Sequence, residues 1–368
     1  MRLRLHRLPL GLLVVWLLAC TGPSSAPSAA SQAPAATVPA PTTAPMAAPP
    51  TVPPTARKVT FASTAAVSDG GVYLAMDRGY FRDQGIDVDY TVIQSGPQAI
   101  PLLASNQIEA AGGAISAGLF NAVARDIPLK LVADKNSALP GFNIGSVVVR
   151  SDLADQVRQP RDLRGRRVAM AALQGSLEVQ LVRYLRSEGD PLAIEDVDVA
   201  TMSYSDAVPA LANGAVDAAV LIEPALGAAV RAGVAVPLRR IVDYWPGNQG
   251  AVVMYGPAFA ADRDAATRFM VAYLRGVRDY YEAFVKGRDR AGVVDVLTRY
   301  SSLKDPAAYD QMELQGLNPD GQINRASVEY ELNYYVERGY VTAPVDLDHL
   351  IDASYAEGAL RVIGPYAW

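Results

Sequence analysis

Small polar side chains that follow predicted strands are the residues of this chain best suited to act on another molecule. The chain has 368 residues but only two histidines and one cysteine. His6 lies in an N-terminal leader, which leaves His349 as the one histidine of the mature body. A zinc site built from histidine and cysteine needs at least three such ligands, and no phosphate-binding or dinucleotide-binding glycine motif follows a predicted strand. We therefore expect no enzymatic activity, no metal and no cofactor.

Four loops between predicted strands and helices carry hydroxyl, amide and carboxyl groups. Doubly wound sheets bind ligands beyond the carboxyl ends of their strands, where helix N-termini offer unpaired N–H groups. The three serines among these residues could instead cap the helices that follow them. The candidate ligand contacts in the four loops are Thr64, Asp69, Ser95, Gly96, Ser116, Gln174, Gly175 and Ser176.

Later strands and one chain crossing add five candidates: Asn136, Tyr204, Glu223, Trp245 and Asn248. Glu223 could accept a hydrogen bond from an amine or ring N–H, or could cap the next helix. Trp245 lies on a Pro-Gly loop that core packing explains poorly, so we expect it to stack on the ligand. The strand before Asn136 is predicted to end at Ala133, and no lysine or arginine stands at a predicted strand end. This pattern favours a neutral heteroaromatic ligand over an anion.

The elements that position these loops occur twice in the chain. Residues 100–111 (IPLLASNQIEAA) and 208–219 (VPALANGAVDAA) are identical at five of twelve positions, and residues 80–85 are echoed at 184–189. One supersecondary unit is therefore used twice, about a hundred residues apart. Strands and helices alternate around both copies, which predicts two α/β lobes, each a mainly parallel sheet with helices on both faces. A cleft between two such lobes favours ligand binding by closure.

The order of the segments predicts a leader, a tether and two lobes. Residues 1–19 have a basic start and an apolar run, and Leu17-Leu18-Ala19-Cys20 resembles a bacterial lipobox, which predicts acylation of Cys20; an ordinary signal peptide is the alternative. Residues 20–57 are rich in Pro, Ala, Ser and Thr, typical of a disordered tether. Extended segments at 145–150 and 250–255 are predicted to cross between the lobes. Lobe 1 would then comprise 58–145 with 252–368, and lobe 2 would comprise 146–251.

The composition limits the partners and the location. The precursor has a net charge of −5, and without the three arginines of the leader 30 basic side chains face 38 acidic ones. Binding to nucleic acid needs a basic surface, so we expect no nucleic acid partner. We expect a monomer outside the cytoplasm, held to the bacterial membrane by the lipid at Cys20. From about residue 262 the chain is predicted to be helical, with tyrosine stripes packed on lobe 1.

Residues 71–88 (GVYLAMDRGYFRDQGIDV) resemble the solute-binding proteins of bacterial ABC importers, in particular the group that serves sulfonates, taurine, nitrate and the thiamine pyrimidine precursor. Residues 162–168, 318–324, 339–347 and 352–360 resemble the same family. The resemblance implies the two-lobed periplasmic-binding-protein fold of type II, with a two-strand hinge, and a permease and ATPase as partners.

Several ligands and functions remain open at this point. The small-molecule ligand could be a thiamine pyrimidine precursor or a flavin, or alternatively a sulfonate, taurine or nitrate. Two functions besides import also remain compatible with the sequence: an enzyme of the pyrimidine-precursor synthase type, and a tethered binding protein without a permease.

Overall fold

The computed structural model describes residues 56–368. The predicted leader, Cys20 and the tether up to residue 55 lie outside the described residues. The strands of the described part, in chain order, are β1 (Arg57–Ser63), β2 (Ile86–Val92), β3 (Ala110–Gly113), β4 (Lys130–Ser137), β5 (Ser146–Arg150), β6 (Arg167–Met170), β7 (Asp198–Thr201), β8 (Ala218–Leu221), β9 (Ala235–Arg240) and β10 (Gln249–Tyr255).

These strands form two sheets with the same spatial order. The first sheet runs β2-β1-β3-β10-β4 and the second runs β7-β6-β8-β5-β9. β10 in the first sheet and β5 in the second sheet are each antiparallel to both neighbouring strands, and the other strand pairs are parallel. The two antiparallel strands are the segments that were expected to cross between the lobes. The arrangement confirms the predicted fold class of two mainly parallel sheets, while the residue limits of the lobes stay predictions.

Helices lie on both sides of the sheets. Six short 3-10 helices supplement them, at Val67–Asp69, Gly96–Gln98, Ser151–Leu153, Pro160–Leu163, Ile194–Asp196 and Pro306–Asp310 of the described part. The α-helices are α1 (Gly70–Asp77), α2 (Tyr80–Asp83), α3 (Ala99–Ala104), α4 (Ala117–Val123), α5 (Ser176–Leu185), α6 (Tyr204–Ala212), α7 (Ala225–Arg231), α8 (Ile241–Tyr244), α9 (Pro257–Ala261), α10 (Arg263–Lys286), α11 (Arg290–Tyr300), α12 (Arg325–Glu337), α13 (Leu347–Leu350) and α14 (Ser354–Ile363).

The repeated sequence adopts a repeated conformation. The turns after α3 and α6 both need a left-handed residue, which is Asn106 (φ 54°) in one copy and Gly214 (φ 76°) in the other. Asparagine and glycine are the residues that best tolerate this region. Three residues later, Glu109 accepts from a backbone N–H of β1 at 2.8 Å and Asp217 accepts from a backbone N–H of β6 at 3.0 Å. The duplicated motif therefore builds the same strand–turn–helix contact in both sheets.

One hydrophobic core extends across both sheets through helix α12. Ile115 near the first sheet and Leu181 on α5 belong to the same buried cluster as Val328 and Tyr335 on α12. Burial of apolar surface contributes about 25 cal/mol per Å², so a shared core holds α12 against both halves. The tyrosines of α12 thus do not pack on lobe 1 alone, as the sequence had suggested, because α12 lies against α5 as well as α4.

Candidate ligand-binding cleft

The loops that follow β3 and β6 touch each other. Ser116 and Gly175 form a β-bridge, flanked by two backbone hydrogen bonds at 3.0 and 3.2 Å. Each loop follows the carboxyl end of a parallel strand, so the carboxyl ends of the two sheets face each other, which is where doubly wound sheets bind ligands. The contact brings four of the sequence candidates together: Ser116, Gln174, Gly175 and Ser176.

The loop after β2 lies against the loop after β3. A β-carbon at Gly96 would lie 3.0 Å from the backbone nitrogen of Ala114 and 3.1 Å from the Cα of Gly113. Glycine permits this approach because it has no β-carbon. The side chain of Ser95 is exposed and makes no capping hydrogen bond within the described chain. Ser95 is therefore placed to meet a ligand at the sheet edge that also carries Ser116.

Two residues in strand-to-helix loops, one after β1 and one after β6, hold positive φ angles. Ala65, between β1 and α1, has φ 54°, and Gln174, between β6 and α5, has φ 59°. Residues other than glycine rarely adopt such φ angles, and backbone strain of this kind clusters at functional sites. The side chains of Thr64 and Gln174 are exposed beside these positions. Both remain candidates for direct contact with a ligand.

The hydroxyls of Ser116 and Ser176 have partners inside the protein. Ser116 Oγ accepts from the N–H of Leu119 at 3.3 Å and so caps α4. Ser176 Oγ lies 3.1 Å from the carbonyl oxygen of Ile115 and 2.8 Å from Glu331 Oε2 on α12. Both serines are buried. Ser116 thus caps the helix that follows it, which was the alternative to a ligand contact. A ligand contact stays a prediction for both Ser116 and Ser176.

Three further candidates are half-buried: Glu223, Tyr204 and Asn136. The Glu223 carboxylate accepts from the N–H groups of Gly227 at 3.0 Å and Glu313 at 3.2 Å, so it caps α7 and reaches the segment before α12. Burial raises the pKa of Glu223 and of the Tyr204 phenol. The Oδ1 atom of Asn136 is buried without a partner among the described residues. A buried amide oxygen ordinarily has a donor, so Asn136 is the candidate whose geometry most favours a bound group.

Trp245 is packed in the core. Its ring is 5% exposed, meets Tyr330 edge-on with centroids 5.1 Å apart and lies 4.7 Å from the guanidinium carbon of Arg183. The expectation that core packing explains Trp245 poorly is therefore wrong, because the ring turns inward between α5 and α12. Asn248 is also fully buried, and its Oδ1 accepts from Gln180 Nε2 at 2.8 Å. Ligand contacts by Trp245 and Asn248 stay predictions.

Strand β4 carries a buried cation that the sequence did not predict. The strand runs to Ser137 rather than Ala133, which places Lys135 near its end, and Arg240 is the last residue of β9. The expectation that no lysine or arginine stands at a strand end is therefore wrong. Lys135 Nζ lies 3.0 Å from Asp69 Oδ1, and both side chains are buried. The two charges neutralise each other, which allows the strand to continue into the interior. Asp69, a predicted ligand contact, thus has a partner within the protein.

The sequence also did not predict the polar contact between α5 and α12. Tyr334 on α12 donates to Glu178 Oε1 on α5 at 2.5 Å, and Glu331 lies beside Ser176 as described. Burial raises the pKa of Glu331 to about 8. The sequence does contain a signal for this contact, namely a carboxyl residue within the tyrosine-rich stripe of α12. Such a group cannot be buried without polar partners.

Metal sites and membrane spans are two further features by which a function could be recognised. Within residues 56–368, no group of three or more His, Cys, Asp and Glu side chains is placed to hold a metal ion. None of the helices in the same residues is long and apolar enough to cross a bilayer. The loops do present hydroxyl, amide and backbone N–H groups, which can form hydrogen bonds to a small ligand.

The profile of the NMT1/THI5-like family matches residues 68–283, which is more than half of the chain. The chain belongs to the NMT1/THI5-like family. This result confirms the resemblance to the solute-binding proteins of ABC importers that the sequence showed. No curated protein sequence matches the chain.

Solved structures share the fold of this NMT1/THI5-like protein. The periplasmic aliphatic sulphonate binding protein SsuA from Escherichia coli matches with a TM-score of 0.65 and 18% identity, over 83% of this chain and 100% of that one. The periplasmic nitrate-binding protein NrtA from Synechocystis PCC 6803 matches with a TM-score of 0.67 and 14% identity, over 84% and 89%. The desulfurization enzyme DSZB matches with a TM-score of 0.58 and 15% identity, over 83% and 99%. Binding proteins and an enzyme thus share this fold, so function must be argued from the site.

Proposed function

We propose that this protein is the extracytoplasmic solute-binding component of an ABC importer. It captures one small molecule between its two sheets by hinge closure and delivers it to a permease and its ATPase. Family membership and the fold shared with two periplasmic binding proteins support this function. The observation that carries it is the contact between the strand-to-helix loops of the two sheets at Ser116 and Gly175. A ligand beside this contact would touch both halves and stabilise the closed arrangement.

We propose further that the ligand is an uncharged heteroaromatic molecule, such as a thiamine pyrimidine precursor or a flavin. Lys135 near the end of β4 is already paired with Asp69, and Arg240 at the end of β9 is paired with Asp243 and Glu313. The unpartnered Oδ1 of Asn136 favours a ligand with an N–H donor. Lysine and arginine are absent from six strand-to-helix loops of the described chain: 63–69, 94–98, 113–117, 171–176, 202–206 and 222–226. A sulfonate, taurine or nitrate is the alternative, favoured by the sulphonate- and nitrate-binding proteins that share the fold.

The ligand class can be tested by thermal unfolding of the purified protein with candidate compounds. A ligand present at 100 times its Kd should add about 2.7 kcal/mol to the free energy of unfolding. We expect pyrimidines or flavins to raise the melting temperature, and sulfonates, taurine and nitrate to leave it unchanged. If none of these compounds raises it, the proposed function is contradicted.

Two glutamines provide a matched pair for locating the site. Gln174 lies in the candidate cleft and Gln156 lies near the far end of β5, and both side chains are exposed. Loss of one neutral hydrogen bond amounts to about 0.5–1.5 kcal/mol, so Gln174→Ala should weaken ligand binding roughly 2- to 12-fold by calorimetric titration. Gln156→Ala should leave the Kd unchanged. Equal Kd values for the two variants would place the ligand elsewhere.

We also propose that the mature protein is a monomer held on the outer side of the membrane by acylated Cys20. Each buried CH₂ of an acyl chain contributes about 0.8 kcal/mol, and stable anchoring takes more than one chain. Cys20→Ser should therefore move the protein from the membrane fraction to the soluble fraction and remove the lipid mass from its N-terminal peptide. A wild-type N-terminal peptide without lipid mass would contradict the anchor.

A further inference from the structure

A buried ion pair lies under the loop that follows β1. Lys135 Nζ is 3.0 Å from Asp69 Oδ1 and 3.0 Å from Ser68 Oγ. The lysine side chain passes over Gly112, where an added β-carbon would lie 2.6 Å from Lys135 Cδ. Gly112 belongs to β3 close to its carboxyl end. The ion pair therefore lies at the edge of the first sheet where the ligand is proposed to bind.

Asp69 is held in place by donors from three directions. Its Oδ2 accepts from Ser63 Oγ at 3.0 Å, from the N–H of Ala66 at 3.0 Å and from the Tyr90 hydroxyl at 3.1 Å. Its Oδ1 faces Lys135 as an ion-pair partner. These contacts fix the orientation of the carboxylate within the site. The lysine is thus matched by a carboxylate that cannot turn away without losing three hydrogen bonds.

This pair decides the charge of the cleft face of the first sheet. The strand-to-helix loops 63–69, 94–98 and 113–117 of this sheet carry one charged side chain, Asp69, and Lys135 opposes it from β4. With both present, the charges of Asp69 and Lys135 cancel each other. With Asp69 neutralised, Lys135 would leave one uncompensated positive charge beside the loops, in a setting where charges interact more strongly than in water.

We propose that Asp69 is a specificity-determining residue that excludes small anions from the cleft by neutralising Lys135. The inference rests on the proposed function, because it concerns which solutes the same cleft accepts. The carboxylate satisfies the lysine internally, so an entering anion gains no ion pair and loses its hydration. An uncharged ligand is not penalised in this way, because it brings no charge to be desolvated.

The test is Asp69→Asn in the full-length purified protein, with sulfate, nitrate and methanesulfonate as probes in a chloride background of constant ionic strength. The wild-type protein should show no saturable binding by calorimetric titration. Asp69→Asn should bind at least one probe saturably, with a Kd about tenfold or more below the highest probe concentration at which wild type shows no binding, which corresponds to one unpaired charge interaction of modest strength.

Two controls separate the charge from a general loosening of the fold. The double variant Asp69→Asn with Lys135→Met removes the cation and should lose the gained anion binding. Asp320→Asn breaks another ion pair of the described chain, in which Arg278 Nη2 lies 3.0 Å from Asp320 Oδ1 with side chains 17% and 9% exposed. That variant should bind the probes no better than wild type.

Two outcomes overturn the proposal. One is a folded Asp69→Asn protein, by circular dichroism and cooperative unfolding, that gains no anion binding; the other is wild-type protein that binds the probes as tightly as the variant.

If Asp69→Asn does not fold, Lys135→Met gives the reverse test. It should gain stabilisation by methylammonium and none by methanesulfonate, and a folded variant that treats the two alike overturns the proposal. If wild type binds no heteroaromatic compound, the proposed ligand is contradicted. The gain of anion binding by Asp69→Asn would still test the role of Asp69 on its own.

Discussion

The wild-type protein is expected to lose stability as the pH rises, and the Glu331→Gln variant is expected to lose much less. Glu331 is fully buried on α12, and burial raises its pKa from the ordinary 4.5 to about 8. Its Oε2 lies 2.8 Å from Ser176 Oγ and 3.1 Å from the Tyr335 hydroxyl. The hydroxyls of Ser176 and Tyr335 donate to this carboxylate and lower its pKa, but burial raises the pKa by more, so the folded state favours the neutral carboxyl.

The direction of the pH effect follows from the two pKa values. The folded state binds this proton more tightly than the unfolded state, so its stabilising effect is complete below about pH 4.5 and is lost as the pH rises through about 8. Within that window the free energy of unfolding should fall by up to about 1.4 kcal/mol per pH unit. Glutamine cannot ionise, so Glu331→Gln should flatten the slope and be more stable than wild type above pH 8.

Urea unfolding at a series of pH values from 5 to 9 measures this effect. Glu337→Gln is the matched control, because Glu337 lies on the same helix with a side chain 60% exposed and pairs with Arg186 at 3.2 Å. The control should keep the wild-type slope. The assignment to Glu331 fails if Glu331→Gln keeps the wild-type slope as well.

The fold could be predicted because its signals are local. The repeated turn that contains Asn106 or Gly214, and the alternation of apolar strands with helices, are both visible within about fifteen residues. The order of strands within each sheet could not be predicted, since it depends on pairings between distant segments. β10, for example, lies between β3 and β4, more than a hundred residues from either.

The exposed part of the candidate site was predictable for the same reason. Thr64, Ser95 and Gln174 lie in loops after strands, where side chains reach solvent at the sheet edge. The buried polar residues were not predictable, because each depends on a partner far along the chain. Glu331, for example, meets Ser176 across 155 residues. A single charged residue in a sequence is expected to be exposed. Only the folded structure shows the polar partner that allows such a residue to be buried.

Replacing Gly276 by alanine is expected to destabilise the protein by about 3 kcal/mol or more. Gly276 lies on α10 where α10 crosses α1, and an added β-carbon would overlap the carbonyl oxygen of Gly71 and lie 2.9 Å from the backbone nitrogen of Ala75. Both contacts are to backbone, so relief requires that the helices move apart. Overpacking in a filled core typically costs 1–3 kcal/mol, and more where the neighbours cannot shift. Because α1 follows the loop that holds Asp69, such a shift should also weaken ligand binding.

Gly292→Ala on α11 is the matched control for this substitution. The three atoms nearest to its added β-carbon all belong to the Asp289 side chain, with Cγ at 2.9 Å. That side chain is 62% exposed and pairs with Arg78, so its rotation costs at most one surface ion pair, about 0–1 kcal/mol. Alanine is preferred over glycine in a helix by about 1 kcal/mol, so this variant should be as stable as wild type or more stable. Thermal and urea unfolding of the two variants measure the difference. A Gly276→Ala protein as stable as Gly292→Ala would show that α1 and α10 do not approach as closely as described, and the position assigned to the Asp69 loop would fail with it.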